Sequence, residues 1–377
     1  MAYKYIYIDD TQNEIEQGTI NGLEIGREIE ITFKKPADWE TLISSITEMM
    51  PDYNGIILDL RLNGNPYEGN KYAQYRGSTL AQELRTLSKE SLESKDFPII
   101  LVSADENLEK SFDPTSLDLF DLIVSKNILG NDKKMPFELF RDKLKWLSDG
   151  YNYLNECDNS IEGILGRKPI PQLDTRFLDA LRANLEKPKH IIARFLTKQI
   201  IGRPTFLIDE RYLSARLGVD RRSGDWGKLI NNFLPADMKY VGAFSNYYTR
   251  WWMQDLYLFW EEKVSDTFDI RSTGSKKKVE LLSAKSGLTK LTPLEKQSDS
   301  KSDSFWVICK ATGVAIDTTD AFIIAGQDDK HAWQEHEYVS VKEALRPTAF
   351  FGITSIEKPR LEKLKAFLEK NEKRVRE

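Results

Sequence analysis

The sequence predicts an α/β fold for residues 1–150, a doubly wound, parallel, five-stranded sheet, followed by a mainly helical unit and a small α+β unit. Three observations lead there. Five short apolar runs rich in β-branched and aromatic residues recur between Tyr3 and Lys126. Amphipathic helical patterns lie between them, as a parallel sheet requires, because each crossover must carry the chain back to the same edge. After about Asp158 the texture changes to longer helical stretches dense in Arg and aromatic residues.

The first run, YKYIYI over Tyr3 to Ile8, stops abruptly at Asp9-Asp10 and reads as a strand that delivers two carboxylates to its C-terminal edge. EIEITF (Glu28 to Phe33), GIILDL (Gly55 to Leu60), PIILVS (Pro98 to Ser103) and DLIVSK (Asp121 to Lys126) follow. Each is compatible with a buried parallel strand. Between them, Trp39 to Met50, with Asp38 placed to cap it, and Thr79 to Leu87 show helical spacing, and Phe137 to Leu147 supplies a last amphipathic helix. In a doubly wound sheet the functional crevice lies beyond the carboxyl ends of the strands, where Asp10, Asp59, Ser103 and Lys126 would all project.

The bulk properties bound the function. A chain of 377 residues has room for two or three domains, and boundaries are expected near 150, 265 and 304: a sheet domain (1–150), an Arg- and aromatic-rich helical domain (151–265), a connector or mobile insertion (266–304) and a small α+β unit (305–377). A net charge of -5 excludes a global nucleic-acid coat, so any basic patch must be local. The two cysteines, Cys157 and Cys309, fit no metal or redox spacing and suit a reducing compartment. MAYKYIYIDD lacks the apolar core of a signal peptide and no run reaches the length of a membrane span, so a cytoplasmic location without membrane contact is expected.

Two adjacent carboxylates at one strand end, a third at another, then a hydroxyl and a lysine on two more, form a coherent chemical set. Crowded acids repel, and they need either raised pKa values or a divalent cation. Magnesium is the natural choice, a hard ion that takes oxygen ligands and keeps exchangeable waters. A carboxylate beside it can attack phosphorus, while a lysine and a hydroxyl serve the phosphoryl oxygens.

This ordered set over residues 1–150 resembles the response-regulator receiver family. The resemblance implies that Asp59, in ILDLRL, is the phosphoacceptor. It places Asp9, Asp10, Asp59 and the backbone carbonyl of Arg61 around Mg2+, with Asp10 the more direct ligand of the acidic pair. Ser103, in LVSA and followed by the small Ala104, falls at the switch hydroxyl, and Lys126 at the lysine after the fifth strand. A histidine kinase or other phosphodonor is the implied partner, and autophosphorylation with slow self-hydrolysis the only implied chemistry. The chain departs from the family pattern in three places. LNGNPYEGNKYAQYRGSTLAQELR carries an insertion before Gly77 and Leu80 restore the helix start, Asn127 replaces the usual proline after the lysine, and Leu122 and Ile123 stand where an aromatic switch residue is expected. An atypical receiver is therefore expected.

In the C-terminal half, YLSARLGVD resembles the first helix and turn of a helix-turn-helix, with a following helix from about Asp225 to Phe233 as the reader and Arg221, Arg222 and Lys228 as candidate phosphate contacts in that region. The aromatic stretch Asn246 to Trp260 offers Arg250, Trp251 and Trp252 as candidate anchors for a protein partner, or as core. HAWQEH lacks metal-ligand spacing, and no Walker loop or GxSxG is present. The expected function is an atypical bacterial two-component-type response regulator acting through a C-terminal interaction region. A DNA-binding regulator and a pseudo-receiver scaffold of a stress or defence complex are the alternatives, and homodimerisation stays open.

Overall fold

The computed structural model describes residues 2–90, 95–104, 114–168, 173–298 and 300–376. The chain divides into two compact units. The first comprises residues 1–169, 179–197 and 241–247, and the second comprises 170–178, 198–240 and 248–377.

The first unit is built on the expected sheet. Strands β1 (Tyr3–Ile8), β2 (Ile29–Lys34), β3 (Gly55–Leu58), β6 (Ile99–Ser103) and β7 (Leu122–Ser125) pair in parallel in the order β2-β1-β3-β6-β7. Between β3 and β6 the inserted loop forms a small hairpin, β4 (Pro66–Glu68) and β5 (Lys71–Tyr72). Helices α1 (Glu14–Glu24), α2 (Trp39–Met49) and α3 (Gly77–Glu90) alternate with the strands, and α4 (Phe137–Glu156) closes the set. Alternation along the strands feeds both faces. Ile6, Ile8, Ile56, Leu58, Ile99 and Leu101 join Leu42, Ile46 and Leu80 in one core, while on the other face the Tyr5 hydroxyl donates to Leu144 O of α4 at 2.7 Å.

Local chemistry explains the element ends. Asn13 accepts from Ile15 N–H and Asp38 from Thr41 N–H, capping α1 and α2. Gly77 starts α3 against the sheet so closely that a Cβ there would lie 2.1 Å from Asp59 O, and its N–H donates to Leu60 O at 3.0 Å. Only glycine fits that approach. Unlike the expected boundary at 150, α4 runs on to Glu156, and helix Lys189–Leu196 packs against it. Arg85, Asp96, Asp121, Tyr151 and His190 form a buried polar network in this unit, with Arg85 paired to Asp96 at 3.0 Å and to Asp121 at 2.7 Å.

A large apolar core runs through the second unit. Leu213 and Leu217 of helix Glu210–Leu217, Trp251, Leu256, Trp260, Leu282, Phe305, Phe322 and Ile353 are all buried in it. The stretch 266–304, expected as a connector, is part of this core: it forms helix Ser275–Ser286, whose Lys278 Nζ donates to Arg216 O at 2.8 Å while burial pushes the ammonium down to about 7. The strands after it are two or three residues long, too short to enclose a separate core, so the segments expected as three units share one. No helix among the described residues is long and apolar enough to cross a membrane.

Candidate functional site

Parallel strands end at one edge, so the residue after each strand arrives at a common rim. Asp9 and Asp10 follow β1, Asp59 follows β3, Ser103 closes β6 and Lys126 follows β7. The pairings Ile8 with Leu58, Leu58 with Leu101 and Ser103 with Ser125 bring these ends level.

Lys126 stands at the centre. Its Nζ lies 2.7 Å from Asp9 Oδ2, 3.0 Å from Asp59 Oδ1 and 3.1 Å from Glu16 Oε1. No proline is needed to aim it: Lys126 N–H donates to Ser103 O at 2.8 Å, and the Asn127 and Ile128 N–H groups donate back to Ser125. Asp59 Oδ2 accepts the Arg61 N–H at 2.6 Å. Asp9 also accepts the Thr11 N–H at 3.0 Å and the Tyr7 hydroxyl at 3.2 Å. Asp10 is held by the insertion: its Oδ2 accepts the N–H of Gly64 at 2.5 Å and of Asn65 at 2.7 Å, while its Oδ1 accepts the Thr11 hydroxyl at 3.1 Å. Ser103 is buried at the same rim.

Glu16 carries no family expectation and was not singled out from sequence. Its signal was an acid on an apolar helix face, since Glu16, Ile20 and Leu23 are buried together along α1. Its Oε2 is buried without a hydrogen-bond partner among the described residues. The Gly64 and Asn65 contacts had no sequence signal, because backbone N–H groups belong to every residue but proline.

Asp9, Asp10, Glu16 and Asp59 are all buried at this rim, and three of them, Asp9, Glu16 and Asp59, share the Lys126 ammonium, which leaves negative charge in excess when all are ionised. Burial, reinforced by the Asp59 charge and opposed by Lys126, pushes Asp9 up to about 6. Burial also raises Asp59, against the pull of Lys126. For Lys126 burial alone would lower the pKa, but Tyr7, Asp59 and Asp9 outweigh it and hold the ammonium above its usual range.

A hard divalent cation offsets most of such an excess, and the all-oxygen donors, with a buried carboxylate oxygen that has no hydrogen-bond partner among the described residues, fit magnesium in chemistry. No three His, Cys, Asp or Glu side chains among the described residues are grouped as a ready metal cluster. The oxygens are instead shared out to Lys126 and to the Gly64, Asn65 and Arg61 N–H groups, which must yield some of them to an ion.

The candidates in the second unit lie otherwise. Arg221, Arg222 and Lys228 are exposed; Arg222 pairs with Asp220 at 2.6 Å and Lys228 with Asp225 at 2.9 Å. The expected reading helix is short, Trp226–Lys228 continued by a wide turn through Phe233, and it buries Trp226 and Leu229. The turn before it is bonded to 292–294 through Asp220 N–H to Thr292 O and Leu294 N–H to Gly218 O. Trp251 and Trp252 are each 1% exposed, so their rings are core and not surface anchors, and Arg250 beside them is half-buried.

The first unit is a receiver-like α/β domain of atypical form, with the strand order 2-1-3-4-5 of flavodoxin-like folds once the hairpin is set aside. Among solved structures it is similar to a sensor protein from Polaromonas sp. JS666 (17% identity, 40% of this chain and 98% of that one, TM-score 0.28). It is also similar to a two component response regulator from Cytophaga hutchinsonii (12%, 38% and 98%, TM-score 0.27) and a response regulator from Thermotoga maritima (9%, 39% and 98%, TM-score 0.26). No family model and no curated protein matches the chain.

Proposed function

We propose that this chain is an atypical response regulator whose first unit takes a phosphoryl group on Asp59 from a histidine kinase or similar donor, and whose second unit carries the output to a protein partner. The observation that supports this best is the Asp59 carboxylate beside the Lys126 ammonium, 3.0 Å apart, at a rim that also gathers Asp9, Asp10 and Ser103. Asp10 and Asp59, with Asp9 and the Arg61 carbonyl, would hold Mg2+, which supplies charge neutralisation for a phosphoryl group approaching a buried acid cluster. Asp59 attacks the donor's phosphorus, the new P–O bond forming as the P–N bond to the donor imidazole breaks and the imidazole leaves, taking up a proton. Lys126 exchanges part of its carboxylate contacts for the incoming phosphoryl oxygens, and Ser103 donates its hydroxyl to them. An added dianion at Asp59 then competes with Asp9 and Glu16 for Lys126, a local charge change that moves the rim.

The test is binding of beryllofluoride with Mg2+, a phosphoryl stand-in, followed by calorimetry. Saturable binding lost in Asp59→Asn is expected. Absence of binding, or binding indifferent to that change, would reject the proposal. A second reading, a pseudo-receiver scaffold, is favoured by the Gly64 and Asn65 N–H groups seated on Asp10 Oδ2. It predicts full biological activity after Asp59→Ala.

A further inference from the structure

The second unit contains a cavity of about 360 Å3 bounded by the 201–204 turn, the start of helix Glu210–Leu217, Arg250, the 308–313 turn and Glu337. Its volume falls in the range of small-molecule sites, roughly 300–1,000 Å3. Four cations line it, Arg203, Arg211, Arg250 and Lys310, against two carboxylates, Asp209 and Glu337.

Those two carboxylates are already engaged. Asp209 accepts from Arg211 at 2.8 and 3.0 Å and caps the helix through the Arg211 and Tyr212 N–H groups. Glu337 pairs with Lys310 at 2.5 Å. Arg203 reaches away from the lining to the exposed Asp329 at 2.9 Å. Arg250 differs from the other three. Its guanidinium donates only to carbonyls, Ile201 at 3.3 Å, Thr249 at 3.2 Å and Tyr248 at 3.4 Å, all long, and no carboxylate pairs with it among the described residues.

An arginine keeps its charge in proteins, so a half-buried guanidinium without a carboxylate is a desolvated positive charge that a ligand can satisfy. Burial lowers its pKa from the usual arginine range, and repulsion from Arg211 adds to that, while Asp209 opposes. The position is rigid. Arg250 O accepts the Tyr240 N–H at 2.9 Å, and the next two residues are buried tryptophans in a strand paired with Leu207–Ile208.

We infer that this cavity binds a small phosphorylated metabolite, with the Arg250 guanidinium as the fork for its phosphate. An anion matches the lining, where Asp209, Glu337 and, at the rim, Asp329 offset three of the four cations and leave the Arg250 guanidinium as the excess positive charge. Arginine offers phosphate paired N–H donors. The second unit thereby has a small-molecule input of its own, independent of Asp59 chemistry.

The test is calorimetric titration of the full chain at low salt with AMP, inorganic phosphate and citrate in turn. One-to-one saturable binding of AMP or phosphate is expected, weakened at least about tenfold in Arg250→Lys, which keeps the charge and loses the fork. The pair Arg203→Ala and Lys310→Ala lies on the solvated rim and is expected to weaken binding as well, so the inference stays testable if Arg250→Lys fails to fold. Lys276→Ala, exposed and outside the lining, serves as control and is expected to change nothing. Three outcomes overturn the inference: no saturable binding of AMP or phosphate up to millimolar concentration, tighter binding of citrate than of either, or binding indifferent to both the Arg250 and the rim substitutions.

Discussion

Replacing Lys126 with methionine removes one ammonium from within 2.7 to 3.1 Å of three carboxylates while keeping most of the side chain's volume. Breaking a buried ion pair costs about 3–5 kcal/mol, because the partner charge stays behind without compensation. At neutral pH the loss in the first unit is expected in that range. Its pH dependence is the sharper prediction. In the native chain Asp9 is raised to about 6, so its folded form binds a proton more tightly than the unfolded chain, and this group favours folding below about pH 4 and loses that contribution as pH rises toward 6. Without Lys126 the Asp9 and Asp59 carboxyls are raised further. The difference between variant and native chain should therefore shrink as pH falls from 7.5 to 5, and should also shrink when Mg2+ is added at pH 7.5. Hydrogen exchange of the β1, β3 and β6 amides measures the opening free energy of this unit apart from the other. A loss below about 1 kcal/mol at pH 7.5, on the scale of an exposed pair, or a loss equal at pH 5 and 7.5, would refute the charge balance argued for the site.

Gly77→Ala places a Cβ 2.1 Å from Asp59 O and must shift either α3 or the acceptor strand end. A destabilisation of about 1–3 kcal/mol is expected in urea unfolding, together with weaker beryllofluoride binding; native-like values of both would show that the helix start has slack. Asp96 tests the buried network elsewhere in the unit. Burial alone would raise it, but His190 and Arg85 overcome that and hold it down at about 2. A depressed carboxyl contributes stability above its unfolded value near 4 and loses it as pH falls toward 2, so the native chain should lose about 2 kcal/mol over that window relative to Asp96→Asn. Parallel acid-unfolding curves for the two proteins would contradict this.

Much of the first unit was legible because its information is local. Runs such as YKYIYI and GIILDL announce buried strands by composition alone, and strands alternating with helices imply a parallel sheet whose ends share one edge. From that rule Asp9, Asp10, Asp59, Ser103 and Lys126 could be assembled before any coordinate. The hairpin between Leu62 and Gly77 was visible as an insertion, although not as the source of the N–H groups on Asp10. In the second unit the local signals misled. LSARLGVD reads as a helix and turn, which it is, but the segment after it buries Trp226 and Leu229 and is bridged from 292–294, relations between residues some seventy positions apart.

The sheet, its doubly wound character and the edge at which the acids gather could be read from the residues in order, because period, apolar run length and crossover length are properties of short segments. The charge balance depended on the three-dimensional arrangement: that Glu16 joins the acids, that Lys126 is shared among three of them, and that Arg250 lines a cavity without pairing to a carboxylate among the described residues. Coulomb interaction depends on distances of a few ångströms between residues far apart in the chain, and no pattern along the sequence encodes those distances.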